Sequence, residues 1–266
     1  MRTRNRALVA ALVLSVALTA GAARAAEEGG EQGGAIGDSW KHWQAKNEVE
    51  NTTSLQRGAR NFTGYCLGCH SLKYARWSRV GEDLGIPEEQ LSKLLLPPGD
   101  KPADYILTSM PATDAETWFG KPPPDLSLIA RSRGPDYLYQ FLKTFYADPS
   151  KATGVNNLRL DSTAMPHVLS ELEGVKTAVF KEVEVKGADG QPHREKVLEK
   201  FELTIPGRLS EAEYDAFVGD TVNFLDYVGE PTQVKRRSLG VWVVLFLIAF
   251  TWLAWSLKKE YWKDVH

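Results

Sequence analysis

Both cysteines of the 266-residue chain lie in one short segment, Cys66-Leu67-Gly68-Cys69, and His70 follows directly. Four kinds of chemistry use two cysteines at this spacing: a disulfide, a zinc site, dithiol exchange and covalent attachment of a haem. A disulfide here would close a loop too small to stabilise a fold, and a zinc site would have to recruit distant histidines. Dithiol exchange of the thioredoxin type needs a β-α-β context, whereas the residues before Cys66 have helical spacing.

Covalent haem attachment uses every residue of this pattern. Two cysteines three positions apart on one helical turn can form thioethers with the two vinyl groups of one porphyrin, and the adjacent His70 then lies under the iron as proximal ligand. The motif occurs once in the chain. The sequence therefore predicts one c-type haem bound through Cys66, Cys69 and His70.

A six-coordinate haem needs a second axial ligand, and five residues could provide it. Met110 and Met165 are the internal methionines, and each precedes a proline. Their spacing from the motif leaves both open, and either would give the iron a higher potential than a second histidine. We take His167 as the reserve ligand and interpret His42 and His193 as surface residues.

The N-terminal end of the chain has the pattern of a secretory signal peptide. Three arginines precede an apolar run over residues 7–21, and Ala23-Arg24-Ala25 supplies a small-x-small cleavage site. We expect residues 1–25 to be removed and residues 26–39 to form a flexible leader, because they are rich in Gly and Glu. Export fits the proposed haem, since haem is attached to such motifs in the periplasm.

The C-terminal end predicts a single transmembrane anchor. Residues 239–257 contain no charge, and 19 residues of helix cover about 29 Å, roughly one hydrocarbon core. Given the signal peptide, we expect the haem domain (40–234) on the periplasmic side of a bacterial inner membrane and residues 258–266 in the cytoplasm. Basic residues flank the span on both sides and do not fix its orientation.

The exported segment is acidic. Residues 26–234 contain 22 Lys and Arg against 32 Asp and Glu. This charge disfavours a nucleic-acid partner and would steer a basic protein partner toward the domain.

The hydrophobic pattern predicts helices over residues 53–66, 135–147 and 211–228, with a shorter one near 87–96. Residues 120–124 contain three successive prolines and should form a rigid extended turn. The pattern changes between 175 and 205, where two partly alternating segments flank an Asp-Gly turn at 188–191 and predict a β-hairpin.

Four segments, taken in order, resemble the cytochrome c1 family, the haem subunits of the cytochrome bc1 complex. They are RGARNFTGYCLGCHSLKYARW (57–77), PPPDLSLIARSRGPDYLYQFL (122–142), AMPHV (164–168), and a C-terminal helix that runs directly into one membrane anchor. All c-type cytochromes share the Cys-Cys-His motif, so the central segment and the C-terminal tail carry the specificity.

The resemblance implies a mainly α fold: a class I cytochrome c-like haem domain, a small β-hairpin insertion and one C-terminal transmembrane helix. In the family the distal methionine follows the Pro-Asp-Leu segment, which favours Met165 over Met110. By the same match Arg133 resembles the arginine that meets a haem propionate, and Tyr137 resembles the nearby tyrosine. The residues expected at the haem edge are Pro123, Pro124 and Leu126.

The resemblance also implies a function and partners. The chain would take electrons from a Rieske iron-sulfur protein and pass them to a cytochrome c, in a dimeric complex with cytochrome b. Two other functions stay open at this point: an anchored cytochrome c that donates to a terminal oxidase, and a haem enzyme with an open coordination site, such as a peroxidase. A non-haem dithiol or structural module is the third alternative.

Overall fold

The computed structural model describes residues 39–186 and 192–263. The predicted signal peptide, the leader up to residue 38, the Asp-Gly turn at 188–191 and the last three residues lie outside the described residues.

The first long helix, α1 (Thr52–Tyr65), leads into the cysteine motif. Its N-terminus is capped by Asn51, whose side chain accepts a hydrogen bond from the Ser54 backbone N–H at 3.1 Å. One face of the helix buries Leu55 and Phe62. The helix ends at the motif, where the Cys66 N–H bonds to the Phe62 carbonyl at 2.8 Å.

Between the motif and residue 143 the chain forms short elements. A two-stranded antiparallel ladder joins β1 to β2, and the helices of this region bury single apolar faces. The elements are β1 (Leu72–Arg76), α2 (Trp77–Leu84), α3 (Glu88–Leu94), β2 (Tyr105–Ile106), α4 (Ala112–Phe119), α5 (Ile129–Arg133) and α6 (Pro135–Lys143).

The predicted helix over 135–147 is too long. Helix α6 ends at Lys143, and the next residues form strand β3 (Phe145–Ala147), antiparallel to β4 (Val155–Asn157). Phe145 is buried and Tyr146 is partly exposed, so this segment alternates as a strand does. The adjacent aromatic residues Phe145 and Tyr146 are compatible with the hydrophobic period of a helix and with that of a strand. Pairing with β4 makes the segment a strand.

Helix α2 continues past Gly81 and ends at Leu84. Gly81 allows this, since its missing side chain leaves room for Leu91 of α3: an added Cβ would lie 2.9 Å from a Leu91 methyl carbon. The short helix predicted near 87–96 is confirmed as α3.

The predicted hairpin is confirmed. A short helix, α7 (Ser170–Glu173), precedes β5 (Gly174–Lys186), which pairs antiparallel with β6 (Pro192–Pro206) from Gly174↔Pro206 to Lys186↔Pro192. The hairpin contacts the rest of the domain at its base, where Lys176 donates to the Lys143 carbonyl at 2.6 Å, and further along, where the Phe180 ring packs edge-on against Tyr146 with centres 5.8 Å apart.

The last two helices have different environments. Helix α8 (Glu211–Gly229) begins with a capping box between Ser210 and Glu213, and buries residues on most of its circumference against α1, α5 and α6. Helix α9 (Gln233–Tyr261) buries no residue and is long and apolar enough to cross a membrane. The mainly helical fold with a hairpin insertion and a C-terminal transmembrane helix is therefore confirmed.

Candidate haem site

The cysteine motif opens into an apolar cavity of about 350 Å³. Its wall comes from the end of α1, the proline segment 122–126, helices α5 and α6, the loop 160–168 and the inner face of α8. The cavity brings together all of the residues that the sequence assigned to the haem: Cys66, Cys69, His70, Pro123, Pro124, Leu126, Arg133, Tyr137 and Met165.

The backbone turn after α1 directs His70 into this cavity. The N–H groups of Cys69 and His70 both bond to the Cys66 carbonyl, at 3.0 and 2.8 Å. The imidazole Nδ1 lies 2.7 Å from the Pro124 carbonyl oxygen. A carbonyl can only accept, so Nδ1 carries the proton and Nε2 keeps its lone pair for a metal. Burial lowers the pKa of His70, which favours this neutral form.

The two cysteines are available for covalent attachment. Both thiols are free, so the disulfide considered above is not formed. Removal from water, with a smaller effect from Cys69, raises the pKa of Cys66 to about 12. The Cys66 thiol therefore keeps its proton, and thioether formation adds both sulfur and hydrogen of a thiol across a vinyl double bond.

The two candidate methionines lie in different places. Met165 lines the cavity, and its backbone N–H bonds to the Thr163 hydroxyl at 3.3 Å. Met110 is not among the cavity residues; its N–H bonds to the Thr108 hydroxyl, which in turn donates to the Gly68 carbonyl behind the motif.

The histidines other than His70 do not contribute to the cavity wall in the described part of the chain. The His167 ring is buried, stacks on Phe145 at 4.9 Å and approaches Glu173, with 2.8 Å between Nε2 and Oε2. His42 is exposed on a short 3-10 helix. The side chain of His193 lies outside the described residues.

Two arginines lie against Tyr137, and the sequence pointed to only one of them. Arg133 places its guanidinium carbon 5.5 Å from the centre of the Tyr137 ring, and that of Arg159 lies at 4.7 Å. The ring stacks parallel to Phe141 with centres 6.5 Å apart. Arg159 was missed because it belongs to a loop with no motif, and only the fold brings this loop to the mouth of the cavity.

Several other wall residues are apolar and lie on helices that the hydrophobic pattern predicted. Three of them line the cavity: Phe141 and Leu142 of α6 and Leu225 of α8. The sequence signal for them was therefore present, but it did not separate cavity wall from ordinary core.

These residues fit a covalently attached haem. A free imidazole nitrogen, a thioether side chain and two free thiols share one apolar cavity, and cationic Arg133 lies at its edge where propionates would need charge.

An apolar cavity that holds this donor set, in a helical domain continued by one exposed apolar helix, is that of a membrane-anchored c-type cytochrome. Comparison with known proteins makes the assignment specific. A family model described as "Cytochrome C1 family" matches residues 209–265. Cytochrome c1 of Allochromatium vinosum is 45% identical over 85% of this chain and 91% of its own length. The chain belongs to the cytochrome c1 family.

Two further relatives cover similar shares of the chain. A protein of Nitrosomonas europaea named "Ammonia monooxygenase gamma subunit" is 43% identical over 80% of this chain and 84% of its own length. Cytochrome c1 of Rhodospirillum rubrum is 28% identical over 79% of this chain and 81% of its own length. Family membership means that this chain carries a covalently bound c-type haem and is a subunit of the cytochrome bc1 complex.

Proposed function

We propose that the chain relays single electrons from a Rieske iron-sulfur protein to a cytochrome c through a haem whose iron His70 and Met165 would hold. The observation that carries this proposal is the shared cavity: His70 and Met165 line it together with Cys66 and Cys69, whereas Met110 does not. An iron held by histidine and methionine has a raised potential, as a late carrier in a respiratory chain requires.

The residues of the chain hold and shield the group. When bound, the haem supplies an iron that accepts and releases one electron. Cys66 and Cys69 fix the porphyrin covalently, and the Pro124 carbonyl orients His70 through Nδ1. The proline segment and the apolar side chains of α6 exclude water from the cavity, and the guanidinium of Arg133 offers a bidentate partner for a carboxylate at its edge.

In this proposal the isolated chain is a relay and not an enzyme. Both cysteines are used for haem attachment, so none remains for an iron-sulfur cluster, and the membrane helix contains no histidine for a membrane haem. Quinol oxidation would then belong to cytochrome b and the Rieske protein. We place the haem domain on the periplasmic side of the bacterial inner membrane, in a dimeric complex, and infer that its acidic surface steers a basic acceptor cytochrome c.

The assignment of the distal ligand is tested with a pair of variants, Met165→Ala and Met110→Ala, in the haem-loaded protein. Met165→Ala should lose the methionine-to-iron absorption band, lower the reduction potential and let cyanide bind the ferric iron quickly, since one coordination position opens. Met110→Ala should keep the wild-type spectrum, potential and slow cyanide binding.

Loss of the band in Met110→Ala, or its retention in Met165→Ala, would contradict the assignment. Fast cyanide binding by the native protein would instead favour a haem enzyme with an open coordination site. The relay itself is tested by purification from membranes, where cytochrome b and a Rieske protein should accompany the chain and a terminal oxidase should not.

A further inference from the structure

Two adjacent asparagines on strand β4, Asn156 and Asn157, are almost completely buried, with 3% and 1% of their surface exposed. A buried amide is stable only when its donors and acceptor are bonded, so the partners of these side chains show what they hold. The partners lie on the loop between β4 and Met165, at the end of helix α6, which forms one wall of the cavity, and directly after strand β3.

Asn157 joins the start of the loop to helix α6. Its Oδ1 accepts hydrogen bonds from the backbone N–H groups of Arg159 at 2.8 Å and Leu160 at 3.2 Å, and from the Thr144 hydroxyl at 3.2 Å. Its Nδ2 donates to the Phe141 carbonyl at 2.7 Å. Leu160 and Phe141 both line the haem cavity, so one side chain sets the spacing between two parts of its wall.

Asn156 holds the middle of the same loop. Its Nδ2 donates to Asp161 at 2.8 Å and to Asp148 at 3.3 Å, and its Oδ1 accepts from the N–H of Ser162 at 2.8 Å. Ser162 has φ of +57°, a left-handed conformation that a residue with a side chain adopts only when its surroundings impose it. Asn156 thus stabilises a strained turn three residues before Met165.

The remaining step to Met165 is short. Thr163 is buried, and its hydroxyl accepts the Met165 N–H at 3.3 Å. A long, flexible methionine side chain loses much conformational freedom when it is fixed, and a mobile backbone would add to that cost. Because the loop is already held at residues 159, 160 and 162, the Met165 sulfur can be placed in the cavity without the additional entropy cost of ordering the backbone.

We propose that Asn156 and Asn157, here called the asparagine clamp, are positioning residues that hold the loop 158–165 so that the Met165 side chain stays in the haem cavity. This inference rests on the proposed assignment of Met165 as distal ligand.

The test uses the full-length haem-loaded protein and the variants Asn157→Ala and Asn156→Ala. Each removes amide bonds to the loop and leaves Met165 in place, so the fraction of molecules with the sulfur detached should rise about tenfold, the effect of losing one net hydrogen bond. Cyanide should then bind the ferric iron about tenfold faster, and the reduction potential should fall. Cyanide association, the methionine-to-iron band and the potential are measured together with the melting temperature.

Asn223→Ala is the matched control. Asn223 is equally buried, and its amide donates to the Glu48 carbonyl at 2.9 Å and to the Ser54 hydroxyl at 3.0 Å, away from the loop. It should lower the melting temperature without changing cyanide binding. If Asn157→Ala does not fold, Asn156→Ala provides the test.

The outcomes separate the two proposals. If Met165→Ala binds cyanide quickly but both clamp variants bind it at the wild-type rate, the clamp is wrong and the ligand assignment stands. The same conclusion follows if Asn223→Ala accelerates cyanide binding as much as the clamp variants do. If Met165→Ala itself behaves as the wild type, the ligand assignment fails and the clamp proposal fails with it.

Discussion

Two carboxylates face the asparagine clamp, and their protonation should set the acid limit of methionine ligation. Hydrogen bonds from Ser150, and a smaller one from Asn156, lower the pKa of Asp148; bonds from Asn156 and then Ser162 lower that of Asp161. Lys151 lies 3.9 Å from Asp161 and acts in the same direction. A carboxylate with a depressed pKa in the folded state stabilises that state above its usual pKa, and the contribution disappears as pH falls through the depressed value.

We therefore expect the methionine-to-iron band of the wild type to persist to a pH below the usual range of aspartate pKa values. Asn156→Ala removes the largest cause of the shift at Asp161, so the band should be lost at a higher pH. Acid titration of the absorption spectrum measures both midpoints. An equal displacement of the midpoint in Asn223→Ala would show that general destabilisation is responsible and would contradict the role of these carboxylates.

Single residues differ in how far the sequence could place them. Cys66, Cys69 and His70 follow from a motif whose spacing is dictated by the porphyrin, and the fold adds the partner of Nδ1. Arg159 and the asparagine clamp could not be predicted, because Arg159 meets Tyr137 and Asn157 bonds to the Phe141 carbonyl, both on helix α6, and only the fold brings that helix to them. Their importance comes from tertiary distances, which hydrophobic periodicity does not encode.

Among the elements, α1 and α8 form the packed pair that carries the haem motif. They approach so closely at Gly58 that an added Cβ would lie 2.1 Å from the Asp220 carbonyl oxygen and 2.6 Å from the Phe224 Cβ. Nearby, Asp220 accepts from the Ser54 hydroxyl at 2.6 Å and from Arg57 at 2.8 Å. The register of α1 against α8, and with it the position of Cys66, therefore depends on a glycine at 58.

Gly58→Ala should lower the free energy of unfolding by about 1–3 kcal/mol, because the new methyl group overlaps backbone that cannot move freely. Gly64 on the same helix is the control, since no atom lies within 4 Å of its added Cβ. Gly64→Ala should be neutral or raise the free energy of unfolding by up to about 1 kcal/mol through helix propensity. Denaturant titration in detergent measures both, and equal destabilisation by the two variants would contradict a packing effect.

The elements also show where periodicity succeeds and fails. Helix α8 and the hairpin were predicted because capping residues and strand alternation are local signals. The segment Phe145–Ala147 was assigned to the preceding helix because its partner strand, Val155–Asn157, has no apolar alternation of its own. Pairing between strands is a long-range property, and here it overrides the local pattern.

At the scale of the molecule, the cavity is assembled from five separate parts of the chain, so the sequence could identify several of its wall residues without predicting its shape. The anchor is the opposite case: an uncharged apolar run is recognisable without any fold.

Helix α9 begins four residues after α8 ends, and its first turn is tied to that junction by Arg236, which donates to Glu230 at 2.5 and 3.0 Å. Arg131 of α5 lies 3.6 Å from the same carboxylate.

Because α9 buries no residue against the haem domain, removing the anchor should leave the haem site intact. A chain that ends at residue 237 keeps the Glu230–Arg236 pair and loses the apolar span. We expect it to be exported as a soluble, red protein in the periplasmic fraction, with the methionine-to-iron band and reduction potential of the full chain. Cell fractionation and redox titration measure this, with the full chain in the membrane fraction as the control. A truncated protein that is exported without the methionine-to-iron band would contradict this expectation, since it would show that the anchor contributes to the haem site although no residue of α9 lines the cavity. Retention of the truncated protein in the membrane fraction would show that a second part of the chain attaches it to the membrane.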